Sequence, residues 1–361
     1  MIVKKIRLAH FRNYKELTLE FDEQLNIIIG KNAQGKTNLL ESLVLLSTTR
    51  SHRLKNDQDM IEHHEEFSVI ECIVQSTFNK HLKIVLNSKG KILYNANNKI
   101  ARSSDFIGLL NAVIFSPNDL EIFVASPKIR RRLIDLEIGK LSISYMNALN
   151  QYYKLMKNRN SLLKKGISDI THYEVIENQM IIHQKKIIGY RHEFIQQLNQ
   201  YLKYYFNLLS EKEDQLEMNY LCCLDDLNNI EVQMKEKYSK YQRQDLMMKS
   251  TVFGIHREDI EFKLNGHLVH EYASQGQRRM IVLALKLALV KYIQDMKKDS
   301  PILLLDDVLS ELDLEHQQLL FKIIPKNTQT IITTTFIDPR IKLGPHCLIK
   351  IDSGKMIKES I

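Results

Sequence analysis

Apolar and polar positions along the 361 residues change rhythm twice. The first stretch reads as short strands: Ile2 to Leu8, Leu17 to Phe21, Leu25 to Ile29, Phe67 to Val74, Leu82 to Leu86, and Ile92 to Tyr94 after a Lys89-Gly90 turn. Between Pro127 and Pro301 no proline occurs, and between Lys140 and Phe253 glycine stands only at Gly166 and Gly189. Both residues are costly in helix interiors, so this stretch predicts long helices. Strand signals return at Ile260 to Leu264, closed by an Asn265-Gly266 hairpin turn, and in a last pair turning at Ser353-Gly354. Met280 to Ile293 reads as a strongly apolar helix, and Ile302 to Leu305 after Pro301 as a buried parallel strand. The pattern predicts an α/β protein whose head is assembled from both chain ends, residues 1–125 and 251–361, with a mainly helical lobe inserted at 126–250. The insertion is short and lacks a sustained heptad, so a compact lobe is expected rather than a long coiled-coil arm.

Composition narrows the class only a little. With 44% hydrophobic and 26% charged residues the chain is an ordinary globular one. No apolar run approaches a membrane span, and Met1 to Arg7 lacks the apolar core of a secretory signal. Cys72, Cys222, Cys223 and Cys347 show neither metal-ligand spacing nor a disulfide framework, so reduced buried thiols in a cytoplasmic protein are expected. The His63-His64 pair has no ligands at matching spacing and reads as a solvated loop.

The formal charge of +8 favours polyanionic partners. Its distribution says more: Lys128, Arg130, Arg131 and Arg132 cluster after Pro127, followed by Lys154, Lys157, Arg159, Lys164 and Lys165, then Lys185, Lys186 and Arg191. Two readings stand: phosphate contacts along a nucleic-acid groove, or a solvated helix face. Tyr152, Tyr153, Tyr201, Tyr204 and Tyr205 interleave with these residues and could stack on bases, although at helical spacing such a stripe is more often core.

The chemistry-bearing motifs are sharper. Leu25 to Ile29 runs into Gly30-Lys31-Asn32-Ala33-Gln34-Gly35-Lys36-Thr37, a complete G-x-x-x-x-G-K-[ST] phosphate loop between a strand and a helix that opens at Asn38. Gly30 and Gly35 let backbone N–H groups surround phosphates, Lys36 reaches the β- and γ-phosphates, and the Thr37 hydroxyl ligates magnesium. The following helix aims its positive dipole end at the same place. These residues point to a nucleoside triphosphate with Mg2+, which the family resemblance below makes ATP. Asp306 and Asp307 end the Ile302 strand, where Asp306 is placed to hold magnesium and Asp307 to orient or deprotonate an attacking water. In Ser274-Gln275-Gly276-Gln277, Ser274 is a candidate N-cap, and Gly276 leaves room for a phosphate near the helix start.

The order of these motifs resembles the ABC-type ATPases. The details resemble the SMC-like RecF family: Phe11-Arg12-Asn13-Tyr14, Asn32 to Glu41, Arg130-Arg131-Arg132, Gly254-Ile255-His256-Arg257, Ser274 to Gln277, and Asp306 to Asp313. The resemblance spans essentially the whole chain. It implies that Ser274 and Gly276, with Gln277, face the nucleotide of a second copy, making an ATP-dependent homodimer with two composite sites. It implies that Arg12 is the family's arginine near the nucleotide. It further implies DNA as partner, single-stranded, gapped or duplex, and work with RecO and RecR in loading RecA during replication repair and the SOS response.

Several positions depart from the wider ABC pattern. Transporter-type relatives carry glutamate where Asp307 stands, so slow hydrolysis is expected. They carry a histidine after the strand that here reads Gln329 to Thr335, where Thr335 or a neighbour could face the γ-phosphate or merely fill the strand. Gly254-Ile255-His256-Arg257 lacks the family's proline, and Phe115 to Asp119 stands where a glutamine loop would be. The alternatives are another SMC-like head, a transporter's nucleotide-binding subunit, and an ATP-gated scaffold that scarcely turns over.

Overall fold

The computed structural model describes residues 1–54, 56–167, 169–210, 214–352 and 355–360, with 170 and 355–360 given by backbone alone. The expected Ser353-Gly354 turn lies outside the described residues. The chain divides into two compact units, one of residues 1–120, 201–214 and 274–361, the other of 121–200 and 215–273.

In the first unit the early apolar runs form an antiparallel sheet. Its strands are β1 (Ile2–Phe11), β2 (Tyr14–Glu20), β4 (Phe67–Gln75), β5 (Lys80–Asn87), β6 (Gly90–Asn95) and β7 (Asn98–Ile100), in the order β2-β1-β4-β5-β6-β7. A second sheet runs β15-β14-β3-β13-β12-β8. It contains β3 (Leu25–Ile29), β8 (Ala112–Phe115), β12 (Ile302–Asp306), β13 (Thr330–Thr334) and β14 (His346–Asp352), all parallel, with β15 (Lys355–Ser360) antiparallel at the edge. The N-terminal β3 thus lies between two C-terminal strands, which is how both chain ends build one head.

Helix α1 (Lys36–Thr48) is buried on nearly every side, as an apolar-all-round helix must be. Leu39, Leu43 and Leu46 from α1 join Val3, Ile6 and Leu8 of β1 and Ile28, Leu304 and Ile331 of the parallel sheet in one core cluster. Each such side chain stabilises the fold by ~1.5–3 kcal/mol when fully buried. Gln329 ties the two ends by hydrogen bonds: its Oε1 accepts from the Val3 N–H (2.8 Å) and its Nε2 donates to the Val3 and Asp22 carbonyls (3.0 and 2.7 Å). The unit also holds α2 (Ser103–Phe106), α8 (Gln275–Lys297) and α9 (Leu314–Ile323). No helix among the described residues is long and apolar enough to cross a membrane.

The second unit is mainly helical: α3 (Pro127–Leu141), α4 (Ile143–Lys165), most of α5 (Ile170–Leu209) and α6 (Ile230–Met248). A small antiparallel sheet joins them, β9 (Leu216–Leu221), β10 (Asp259–Leu264) and β11 (His267–Leu268), followed by α7 (Val269–Tyr272). Residues 251–273, expected with the head, fall here because β10 pairs along its length with β9. Tyr201–Asp214 falls instead in the first unit.

The basic clusters of this unit divide sharply. Arg159 and Arg191 have no exposed side-chain surface. Arg159 pairs with Glu177 and Asp245 and donates to Thr251, and its guanidinium lies over the rings of Tyr173 and Tyr238. Arg191 pairs with Asp135 and Glu258. Arg130 makes a two-pronged pair with Asp259 (2.7 Å each), and Arg131 donates to the Glu258 carbonyl. These four are internal braces, which corrects their reading as groove or solvated-face residues. A partner far along the chain decides this, a carboxylate for Arg130, Arg159 and Arg191 and a backbone carbonyl for Arg131, and no linear spacing shows it. Lys128, Lys154, Lys157, Lys164 and Lys165 are exposed. Tyr152 and Tyr205 are core; Tyr153 and Tyr204 are exposed.

The remaining thiol and histidine expectations can be placed too. Cys72 and Cys347 are buried thiols, whereas Cys222 and Cys223 are half-buried beside the Glu258 carboxylate, which Arg191 and Tyr220 already engage. His63 and His64 are exposed.

Candidate functional site

The phosphate loop leaves the carboxyl end of β3, where ligands of open parallel sheets bind. In register beside it lie the ends of β13 and β12: Ile28 opposite Thr333, and Thr333 opposite Asp306. The two loop glycines have tertiary reasons to be glycine. A Cβ on Gly30 would come 2.6 Å from the Ile351 carbonyl oxygen. Gly35, at φ 102°, would meet Asn13 at 2.6 Å and the Tyr14 hydroxyl at 2.9 Å. The β1–β2 turn therefore braces the loop. Tyr14 donates to the Gly35 carbonyl (3.0 Å), Asn13 Nδ2 to the Gln34 carbonyl (3.2 Å), and Asn38 Nδ2 to Asn13 Oδ1 (2.8 Å). Burial pushes the Tyr14 phenol well above its ordinary range, so it stays a neutral donor.

Between Gly30 and Lys36 the chain presents Lys31, Asn32 and Ala33 exposed, with Gln34 half-buried. Lys36 folds back over the loop, its Nζ donating to the Gly30 and Lys31 carbonyls (2.6 and 2.9 Å). Burial lowers its pKa, and the carboxylates of Asp307 and Asp306 oppose that shift. The Thr37 hydroxyl donates to Asp306 Oδ1 at 3.0 Å, and the Thr333 hydroxyl donates to the same oxygen at 2.7 Å. Two adjacent oxygen donors of this kind suit a hard divalent cation such as Mg2+. Asp307 holds a left-handed backbone (φ 53°), fixed by its N–H donating to the Thr333 carbonyl and hydroxyl (3.1 Å each). Its Oδ1 is buried with no hydrogen-bond partner. An unpaired buried carboxylate oxygen beside Asp306 and a basic loop fits a site built for a hydrated metal–phosphate group.

Residues missed by sequence reasoning complete the frame. Glu41, fully buried on α1, takes Arg12 in a two-pronged pair (Nε 2.9 Å, Nη2 2.8 Å) and accepts from Ser51. Arg12 Nη1 also donates to the Asp59 carbonyl (3.2 Å), so the nucleotide-side arginine of the family resemblance is turned to a structural partner. Arg53, more exposed, donates to Asn38 at 3.1 Å and lines an open groove of about 1290 Å³ with Arg12, Asn13 and Asn38. The spacing Lys36–Glu41 carried a weak signal, a carboxylate in an otherwise apolar helix. Thr333 reaches Asp306; Thr334 bonds the Phe336 carbonyl and Thr335 is exposed. In the Phe115–Asp119 segment, Asp119 pairs with Lys286 (2.7 Å) and accepts from the Ser116 N–H.

Ser274 and Gly276 stand apart from this cluster. Ser274 caps α8 by accepting from the Gln277 N–H (3.2 Å), and Gln277 Oε1 accepts from the Ser274 N–H (3.0 Å), a reciprocal capping box. All three are at the surface or half-exposed, and a Cβ on Gly276 would meet only Ser274 Oγ, at 4.0 Å. Ser274 bonds none of Gly30–Asn38.

A phosphate loop after a parallel strand, acidic groups closing a strand two places along the sheet, and a capped S-x-G-Q helix define an ABC-type ATPase head of the kind found in SMC-like proteins. The family described as "RecF/RecN/SMC N terminal domain" matches residues 2–344. The DNA replication and repair protein RecF of Streptococcus gordonii is 40% identical over 342 residues, 94% of each chain. A solved structure of the recombination mediator protein RecF with ATP, from the RecFOR pathway, shares 33% identity at a TM-score of 0.91, covering 99% of this chain and 98% of that one. A solved SMC head bound to the C-winged helix domain of ScpA shares the fold, with a TM-score of 0.59 at 15% identity over 100% of this chain and 98% of that one. The chain belongs to the RecF family of DNA replication and repair proteins.

Proposed function

We propose that the protein binds ATP with Mg2+, pairs head to head with a second copy around the nucleotide, and in that state holds DNA. The observation that carries this reading is the cluster at the carboxyl ends of β3, β12 and β13: Lys36 over the loop, Thr37 and Thr333 on Asp306, and the unpartnered Asp307 oxygen. In it, the loop amides of Gly30 to Thr37 and the Lys36 ammonium hold the phosphates, and Thr37 and Asp306 hold the cation. Magnesium supplies charge neutralisation at the β- and γ-phosphates. Asp307 orients the attacking water; being shorter than glutamate, it makes hydrolysis slow.

The surface position of Ser274 and Gly276 supports their role in the site of a second copy, because nothing in their own site uses them. Dimerisation is then linked to nucleotide, and hydrolysis releases it. The exposed lysines of α4, Lys154, Lys157, Lys164 and Lys165, are suited to backbone phosphates and thus to sequence-independent contacts. The proposed setting is the cytoplasm, at single-stranded, gapped or duplex DNA, with a role in RecA loading alongside RecO and RecR, a reading that the family resemblance supports.

The test is a gel shift on single-stranded, duplex and gapped DNA with ATP, ADP and no nucleotide, alongside sedimentation. ATP-dependent retention and an ATP-dependent dimer are expected, with Ser274→Arg binding ATP but sedimenting as a monomer. An ATP-loaded monomer in the unsubstituted protein, or a dimerising Ser274→Arg variant, overturns the composite-site reading.

A further inference from the structure

Strand β13 encloses three hydroxyls, those of Thr330, Thr333 and Thr334, each residue no more than 2% exposed. Valine would suit a buried strand position as well and would bring no hydroxyl to satisfy. Each hydroxyl therefore needs a partner. Thr330 and Thr334 find theirs on nearby backbone, at the Thr328 carbonyl (3.3 Å) and the Phe336 carbonyl (2.8 Å). Thr333 reaches across to the next strand instead. It stands in parallel register with Asp306, and its hydroxyl donates to Asp306 Oδ1 (2.7 Å) while accepting from the Asp307 N–H (3.1 Å). The Leu305 carbonyl is a more distant acceptor, at 3.5 Å. A single oxygen, donor and acceptor at once, thus joins two consecutive residues at the end of β12.

The two residues depend on it for different reasons. Asp306 Oδ1 also accepts from Thr37 (3.0 Å), but Thr37 belongs to the phosphate loop, whereas Thr333 belongs to the sheet. A carboxylate that ligates a cation is itself kept in place by such outer hydrogen bonds. Asp307 has a left-handed backbone (φ 53°), which a residue with a Cβ adopts only rarely. Its N–H is held by the Thr333 hydroxyl and carbonyl, and its own carbonyl accepts from Ser310 (2.7 Å). Because Asp307 Oδ1 has no hydrogen bond, the backbone turn is what aims that oxygen.

We propose that Thr333 is a positioning residue that locks the cation-holding Asp306 to the water-orienting turn of Asp307. Cation affinity and hydrolysis then share one hydroxyl, supplied by a strand outside the phosphate loop. This rests on the nucleotide reading above.

The test uses the full chain with Thr333→Val, which removes the hydroxyl and keeps the branched shape, and Thr333→Ser, which keeps the hydroxyl. The affinity of a non-hydrolysable ATP analogue is measured with Mg2+ and in EDTA. Mn2+ affinity of the analogue-loaded protein is read by electron paramagnetic resonance, and ATP hydrolysis is followed separately. Thr333→Val should lose about tenfold in Mg2+-dependent affinity and in Mn2+ affinity, the usual effect of removing an outer hydrogen bond to a ligand, with affinity in EDTA unchanged. Its hydrolysis should fall further than its binding, because Asp307 is released as well. Thr333→Ser should recover most of both. In an Asp307→Asn background, Thr333→Val should still weaken Mn2+ binding but slow hydrolysis no further. If Thr333→Val keeps the cation affinity of the unsubstituted protein, or loses analogue affinity equally in Mg2+ and in EDTA, this inference fails alone. If the unsubstituted protein shows no Mg2+-dependent binding, the nucleotide reading fails and takes this one with it.

Discussion

Two regions of this protein bury charge, and they treat it in opposite ways. In the helical unit Arg159 and Arg191 are wholly enclosed, and every carboxylate drawn in with them, Glu177, Asp245, Asp135 and Glu258, sits on a guanidinium. Around the phosphate loop, Asp307 Oδ1 is equally enclosed and has no protein partner. Asp245 Oδ2 and Glu137 Oε2 of the helical unit also lack a hydrogen bond but lie 2.6 and 2.7 Å from a cation, and only Arg131 Nε among its braces is left over, so its buried carboxylates have little to offer a ligand. Polar groups enclosed without partners are costly unless something else completes them. Ion pairing of the buried carboxylates, more than charge itself, separates the brace from the site.

The comparison can be broken most forcefully in the scaffold. Arg191→Leu strands Asp135 and Glu258, and should cost ~3–5 kcal/mol, read as a large drop in the urea midpoint. An unchanged midpoint would mean that the network is not a brace.

Next in size is a pH effect in the same unit. His256 is half-buried, with its Nδ1 against the Tyr152 hydroxyl (2.6 Å) and its Nε2 against the Thr251 carbonyl (3.0 Å); desolvation first, then neighbouring arginines, bring its pKa to about 4. An unfolded chain protonates this ring near its ordinary 6.5, whereas the folded one resists until about 4. Its contribution is therefore complete above pH 6.5 and is lost as pH falls toward 4. The slope should approach ~1.4 kcal/mol per pH unit in that window. His256→Gln should flatten the difference curve; a matching slope in both proteins would remove His256 from the brace.

In the site, Lys36→Met should weaken ATP binding about hundredfold, in line with losing charged hydrogen bonds, while leaving the urea midpoint close to normal. A large midpoint shift would make Lys36 a brace as well. Asp307→Asn keeps the volume and should leave ATP binding nearly intact while slowing release from DNA in a filter-binding chase; rapid dissociation would argue against its part in hydrolysis. The smallest effect belongs to Ser274→Ala, which removes the α8 cap at ~1 kcal/mol. A loss of ATP-driven dimerisation out of proportion to that cost would sharpen the distinction, since the cap alone cannot explain it.

Much of the site could be read from the chain alone. Gly30 to Thr37, the Asp306-Asp307 strand end and the Ser274-Gln277 capping box are local patterns: backbone conformation, strand-to-helix order and i to i+3 bonding are all written in consecutive residues. What the sequence could not assign was the partner of each charged or polar side chain. Arg12 turns to Glu41, four arginines of the basic clusters turn inward, Thr333 takes Asp306, and Asn13 with Tyr14 brace Gly35. Those choices depend on strands and helices far apart in the chain meeting at a few ångströms. A spacing motif fixes which group is offered, and only three-dimensional packing decides what accepts it.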